Sequence, residues 1–289
     1  EAHTLDFREK DSGTAHRDMY LDSDSNAIDS LSIYGHLAVG VPGVTAGMYT
    51  AHEKFGKLPW AELIAPSVRL AEMGFLVTER EAKSYNKYQE EFAKYNPHPN
   101  AFVRPEKWEK GHPLVQKDLA EVLRAIQNEG RKGFYEGKVA TLLVNEMKKG
   151  GGIISLDDLK KYEAVWRKPI QFPYKNYNVI AMPPPSSGGL CLAELMNMIE
   201  DYPIGEWGFQ TPKSIHLMTE AARRAYADRA EHLGDIDFYP VPVEQLASQE
   251  YARMRMRDYI DSTASVSDSI THGDPFAAES DETTHYSIV

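Results

Sequence analysis

A threonine pair opens a short strand-like run near the end of the chain, Thr283-Thr284-His285-Tyr286-Ser287-Ile288-Val289, directly after the acidic Asp281-Glu282. A threonine hydroxyl is a poor nucleophile at its ordinary pKa and needs a base within hydrogen-bond reach. One source of that base is the residue's own α-amino group, once it is free. Thr283 is internal, so the chemistry requires cleavage of the Glu282–Thr283 bond, with the hydroxyl attacking its own preceding carbonyl. Cutting and activation are then one event. Pattern alone leaves a plainer alternative open, because β-branched and aromatic residues suit a half-buried pleated surface and the run also reads as ordinary strand. His285, two residues on, shares a strand face with Thr283 and could help hold it.

Arg8, in Leu5-Asp6-Phe7-Arg8-Glu9, is the second candidate. A guanidinium presents a planar fork of donors that matches a carboxylate in a way an ammonium does not. Its plainer reading is a surface arginine paired with Asp6 or Glu9. The ten histidines include no pair at helical spacing with an intervening Glu, so no metal site is expected. Pro183-Pro184-Pro185-Ser186-Ser187-Gly188-Gly189 lacks the lysine of a phosphate-cradling loop and reads as a turn that lets backbone approach closely. Asp157-Asp158 falls at a helix start, where negative charge is favourable anyway. Asp228 and Arg229 either anchor a long helix or lie on its solvated face.

The elements that must position these groups are mostly helical. Small and apolar residues recur at helical intervals from Gly43 to Phe55 and from Trp60 to Met73, with Pro66 awkward inside the second run. Lys83 to Tyr95 is polar with spaced aromatics and is stopped by Asn96-Pro97-His98-Pro99. Val115 to Glu129 predicts a helix with Leu119, Val122, Leu123 and Ile126 as its apolar stripe and Gly130 as its terminator. Val139 to Lys149 predicts another, with two lysines in its last turn, and Ser155 caps a short helix through Lys161. Strands are expected at Ile170-Gln171-Phe172 and Tyr177 to Met182, around a turn at Tyr174-Lys175-Asn176. Helices follow over Leu190 to Glu200 and over Pro212 to His232, the latter with Thr211 as cap and Pro212 in first position. This pattern permits an α+β fold without selecting one.

The chain has 289 residues, enough for a substantial core, with 42% hydrophobic and 26% charged residues, the balance of a globular protein. A net charge of −11 argues against nucleic acid as partner, since that binding depends on basic residues neutralising phosphates. No apolar stretch is long enough for a bilayer span, and the longest weakly polar one, from His36 to Ala51, is interrupted by Gly and Pro. Cys191 is the sole cysteine, so no disulfide can form within the chain. No linker-like composition divides the chain before residue 261. Asp261 to Glu282, rich in Ser, Asp and Ala, is expected to be exposed and mobile.

Thr283-Thr284-His285-Tyr286-Ser287 resembles the processing-site motif of the γ-glutamyltranspeptidase family, autocatalytically matured N-terminal-nucleophile hydrolases. Other segments agree in the family's order: Leu5 to Glu9 with Asp18-Met19-Tyr20-Leu21, Gly40-Val41-Pro42-Gly43 with Leu58-Pro59-Trp60, Met182 to Gly189, and Ala225-Tyr226-Ala227-Asp228-Arg229 through Leu233-Gly234-Asp235. The resemblance implies an α+β fold, the four-layer αββα sandwich of these hydrolases, with Thr283 as nucleophile and Arg8 binding the substrate's α-carboxylate. It implies action on glutathione and other γ-glutamyl compounds through a γ-glutamyl-threonine ester, with no cofactor. It further implies that residues 1–282 are a large-subunit portion, that 283–289 are the first strand of a small subunit whose remainder completes the site, and that the protein is periplasmic, secreted or surface-anchored. Glu1-Ala2-His3-Thr4 carries no leader and reads as the interior of a longer chain. Cephalosporin or glutaryl acylases of the same superfamily, which take a dicarboxylic acyl group without the α-amine, and a non-catalytic binding protein of the same fold are the alternatives.

Overall fold

The computed structural model describes residues 1–96 and 100–277. The stop predicted at Asn96-Pro97-His98-Pro99 lies largely outside them, as do Glu282 and Thr283. Contacts divide the chain into two compact units, Leu5–Val165 and Trp166 onward together with Glu1–Thr4. The division passes through two short strands, β1 (Thr4–Asp6) and β4 (Val165–Arg167), rather than through a polar linker. Composition therefore carries no mark of it.

The first unit is helical. It contains α1 (Val44–Phe55), α2 (Trp60–Met73), the strand β2 (Phe75–Leu76), α3 (Glu79–Lys87), α4 (Gln89–Tyr95), the strand β3 (Pro113–Leu114), α5 (Lys117–Glu129), α6 (Lys132–Tyr135), α7 (Gly137–Gly150) and α8 (Leu156–Lys161). Pro66 does sit inside α2, but on an exposed turn where water can reach the Glu62 carbonyl that the missing N–H leaves unpaired. α2 packs on α5, and Trp60 Nε1 donates to the Ile126 carbonyl at 2.8 Å, tying the start of one helix to the end of the other. The stripe predicted for α5 is partly displaced. Ala120 and Ile126 are buried, Val122 and Leu123 are half-buried, and Leu119 stays exposed, because the contact with α2 is built on small residues such as Ala71 and Ala120. α3 and α4 escape an apolar-periodicity test because α3 is held by a capping box, Thr78 with Glu81, and by packing on Trp108.

α8 starts as predicted. The Ser155 hydroxyl accepts from the Asp158 N–H at 3.1 Å, and the Asp158 carboxylate accepts from the Ser155 N–H at 2.8 Å. Asp158 has a second task. Its carboxylate also accepts from the Ser12 hydroxyl at 2.9 Å and the Gly13 N–H at 2.7 Å, fastening the loop that follows Arg8 to α8. Partial burial raises its pKa, but the donors at Ser155, Gly13 and Ser12 outweigh this and hold it down at about 2.

The second unit begins with an antiparallel hairpin, β5 (Ile170–Tyr174) and β6 (Tyr177–Ala181), turned at the positive-φ Lys175 as the Tyr174-Lys175-Asn176 signal predicts. Ile170 and Phe172 alternate inward against α9 (Gly188–Glu200). α10 (Ile204–Trp207), α11 (Pro212–His232), α12 (Val243–Leu246) and α13 (Gln249–Arg255) complete it, with α9 packed against both α11 and α13. The core includes Met198, Ile199, Leu217, Ala221, Ala225 and Ala252. α11 starts at Pro212 under a Thr211 cap, as read from sequence. No sheet among the described residues exceeds two strands.

Asp158→Asn should destabilise the first unit by about 1–3 kcal/mol near neutral pH, since it leaves buried donors facing an amide. Because the native pKa lies below the ordinary carboxylate value, this stability is present above about pH 4 and fades as pH falls toward 2. Thermal melts of wild type and variant should therefore converge in that window. A gap that is independent of pH down to about 2 would contradict the assignment.

Candidate active site

Arg8 is placed by its backbone. Just after β1, the buried Asp6 carboxylate accepts from the Arg8 N–H at 3.2 Å, and the Tyr162 hydroxyl donates to the Arg8 carbonyl at 2.6 Å. Two glycines let α1 come this close. A Cβ on Gly43 would lie 2.0 Å from Tyr162 Oη and 2.1 Å from the Phe7 carbonyl, and one on Gly47 would lie 2.2 Å from the Phe7 ring. Tyr135 stacks on Tyr162 with centroids 5.7 Å apart, donates to the Pro42 carbonyl at 2.7 Å and accepts from the Ala46 N–H at 3.2 Å. Burial, the neighbouring phenol and the carboxylates Asp6 and Glu9 push the Tyr162 pKa well up, so it remains a donor at any physiological pH. The paired bridge between Lys10 and Val41 extends the same clamp. Arg8 is thus an exposed residue whose backbone is fastened at both its N–H and its carbonyl.

Of the three residues predicted from sequence, the structure places Arg8. Glu282 and Thr283 lie outside the described residues, so the structure does not bring nucleophile and arginine together. Of the Met182–Gly189 segment, Met182 to Ser187 form the turn between β6 and α9, and Gly188-Gly189 open the helix. Gly189 is required there, since a Cβ would lie 2.2 Å from the Met182 carbonyl, and the Ser187 hydroxyl accepts from Arg229 Nε at 3.0 Å. Pro183 and Pro184, with Ile170 and Val243, line an open cleft of about 810 Å³ in the second unit. Arg167 at its edge is already engaged by Asp237 through bonds of 2.9 and 2.8 Å.

Sequence reasoning left Asp228 between a helix anchor and a solvated face, and missed Glu194 and Arg255, which cluster with it under α9, α11 and α13. Asp228 is completely buried, as is Glu194, and Arg255 Nε donates to Asp228 Oδ2 at 2.9 Å. The other Asp228 oxygen accepts from the Gly273 N–H at 2.7 Å. Burial, then the adjacent Asp228 charge, push the Glu194 carboxyl up to about 9, so it is protonated at neutral pH. The signal available in sequence was Glu194 itself, four residues after Leu190 and directly after Ala193 on an otherwise apolar helix face. A second buried pair, Arg224 with Glu220 at 2.8 Å and with Asp258 at 2.7 Å, ties α11 to the chain after α13.

Other chemistries find little support. Burial, with the Glu194 charge second, pushes the Cys191 thiol up to about 11, far from a thiolate at neutral pH. Among the described residues no three His, Cys, Asp or Glu side chains converge as metal ligands. None of the described helices is long and apolar enough to cross a membrane.

Comparison with known proteins assigns this geometry to a family. The Gamma-glutamyltranspeptidase family model matches residues 1–289. The chain is 41% identical over 287 residues to a glutathione hydrolase proenzyme of Pseudomonas sp. (strain A14), covering 99% of this chain and 50% of that protein. It is 39% identical over 288 residues to the glutathione hydrolase proenzyme of Escherichia coli (strain K12), with the same coverages. The chain therefore spans about half the length of the curated relatives it matches. The crystal structure of Helicobacter pylori gamma-glutamyltranspeptidase superposes with a TM-score of 0.91 at 39% identity, over 97% of this chain and 81% of that one. Such agreement in fold and in sequence leaves one conclusion: the chain belongs to the γ-glutamyltranspeptidase family and has its α+β fold.

Proposed function

We propose that this protein is a γ-glutamyl transferase or hydrolase that acts on glutathione and other γ-glutamyl compounds after cutting itself between Glu282 and Thr283. The observation that carries the reading is the family match over residues 1–289, which includes both the threonine motif and the immobilised Arg8 segment.

In the self-cleavage, Thr283 Oγ attacks the Glu282 carbonyl carbon. The C–O bond forms, the C–N bond breaks, and the hydroxyl proton passes to the departing nitrogen. Water then hydrolyses the ester, leaving the Glu282 carboxylate, a free Thr283 hydroxyl and a free α-amine. In turnover this amine takes the hydroxyl proton as Oγ attacks the substrate's γ-carbonyl, and returns it to the leaving amine. The γ-glutamyl ester that results is released by water or by an acceptor amine. Arg8 holds the α-carboxylate of the donor through its paired N–H groups, which fixes the γ-carbonyl at a constant distance from the anchor.

The tetrahedral oxyanion needs preorganised donors, each worth a factor of roughly 10²–10³ in rate. We assign them to the small-subunit part of the relatives' length, which would be the partner that completes this site. Export to the periplasm, cell surface or medium is part of the same reading.

Three experiments test it. Full-length precursor should yield a fragment whose first residue is Thr283, and Thr283→Ala should remain uncut and inactive; N-terminal sequencing that begins elsewhere, or turnover by the variant, would end the proposed mechanism. Arg8→Lys should cut itself normally yet raise KM for a γ-glutamyl substrate by more than about tenfold, because a point charge replaces a bidentate fork. Unchanged KM in steady-state kinetics would remove Arg8 from the site. Faster turnover of a glutaryl substrate than of its γ-glutamyl counterpart would favour the acylase reading instead.

A further inference from the structure

Ten residues before Thr283 the backbone is clamped from three sides, at Thr271 to Gly273, by helices of the second unit. Asp228 of α11 accepts from the Gly273 N–H at 2.7 Å, and His232, one turn further along α11, donates through Nε2 to the Gly273 carbonyl at 2.7 Å. Arg255 of α13 donates to Asp228 at 2.9 Å and through Nη2 to the Thr271 carbonyl at 2.8 Å. The chain just upstream is also tied to α11, since the Ser265 N–H donates to Glu220 at 2.9 Å and Arg223 Nε to the Ser267 hydroxyl at 3.2 Å. Gly273 itself sits so close that a Cβ would lie 2.5 Å from Tyr251 Oη and 2.6 Å from Arg255 Cδ.

Stability alone is a poor account of this arrangement. A buried ion pair pays desolvation for two charges, and apolar residues of similar volume are often at least as stabilising. The second unit adds a further carboxyl, Glu194, to the same pocket, and neither of its oxygens has a hydrogen-bond partner. What a buried carboxylate held by a guanidinium does supply is a fixed acceptor, at one place and in one direction. Here that acceptor is used on a single backbone N–H, whose residue cannot bear a side chain without displacing the clamp.

We propose that the Asp228–Arg255 pair is a positioning device for self-cleavage, fixing the origin of the tether that delivers the Glu282–Thr283 bond to the fold that must polarise it. The proposal rests on the cleavage reading given above. From Gly273 a ten-residue tether reaches at most about 33–36 Å, and fixing its origin confines the bond to a far smaller volume than a free strand would sample. The N-to-O shift is intramolecular and demands near-attack geometry, where a misplacement of about 1 Å can cost a hundredfold. Asp228, Arg255 and His232 take no part in the bond making or breaking. They act through the backbone at Gly273.

The test uses full-length precursor made by cell-free translation, with cleavage followed over time on gels and the cut site sequenced. Gly273→Ala should slow cleavage by about ten- to a hundredfold while the melting temperature stays within a few degrees of wild type. Adding Tyr251→Phe removes the nearer of the two groups that the new methyl would strike, leaving only Arg255 Cδ, the far part of a flexible side chain, to give way, and should restore part of the rate, a rescue that general destabilisation would not give. Asp228→Asn, which keeps the shape and loses the charge facing Arg255, should slow cleavage as well. Wild-type rates in both Gly273→Ala and Asp228→Asn would overturn the proposal. So would a loss of rate that tracks the melting temperature and that Tyr251→Phe leaves unrelieved. Wild-type precursor cut at a bond other than Glu282–Thr283 is seen in the control alone; it overturns the underlying reading and this inference with it.

Discussion

The segments that matter for chemistry are held by side chains on helices or just past their ends, bonded to loop residues, not by long sheet ladders. Tyr162 holds the Arg8 carbonyl, Asp158 on α8 holds Ser12 and Gly13, and Asp228 on α11 holds Gly273. Each is a polar group wholly or partly withdrawn from water, and a buried acceptor or donor must be satisfied or lose its desolvation energy outright. Neutral backbone amides are the partners that each one finds. The cost of burial thereby becomes geometric precision in a loop that has no regular structure of its own.

This explains why the packing around those groups is so intolerant of volume. Gly43, Gly47, Gly189 and Gly273 all occupy places where one added carbon would fall within 2.5 Å of a neighbour. Backbone must come within hydrogen-bond distance of a side chain, and only glycine leaves the space. The Tyr135–Tyr162 stack shows the same logic from the apolar side, since two large rings fill the core of the first unit while their hydroxyls reach out to the Gly40–Gly43 and Arg8 backbones.

Charge is distributed to match. Asp158, surrounded by donors, is held ionised far below its ordinary range, whereas Glu194, with burial and Asp228 against it, is held neutral. Two carboxyl groups of like chemistry are driven in opposite directions, one by the donors around it and the other by burial first and a like charge second. With Glu194 neutral, the one guanidinium of Arg255 is left to Asp228, because a charge on Glu194 would be buried without a partner.

Local signals were sufficient wherever the determinant was a neighbour in sequence. Thr211-Pro212 opens α11, Ser155 caps α8, Gly130 ends α5 and the turn at Lys175 joins β5 to β6 as those residues dictate, because caps and turns are satisfied within a few positions. The family motifs and the identity of Arg8 were legible for the same reason: they are runs of residue types. What only tertiary structure decided are the contacts between distant residues. The exposure of Leu119 and burial of Ala120 on α5 follow from α2, and the burial of Asp228 follows from Arg255 and Gly273, 27 and 45 positions away. The division at Val165 follows from which strands and helices find each other. A sequence specifies which groups need partners; the fold alone determines which partner arrives, because burial is a property of the whole packed chain.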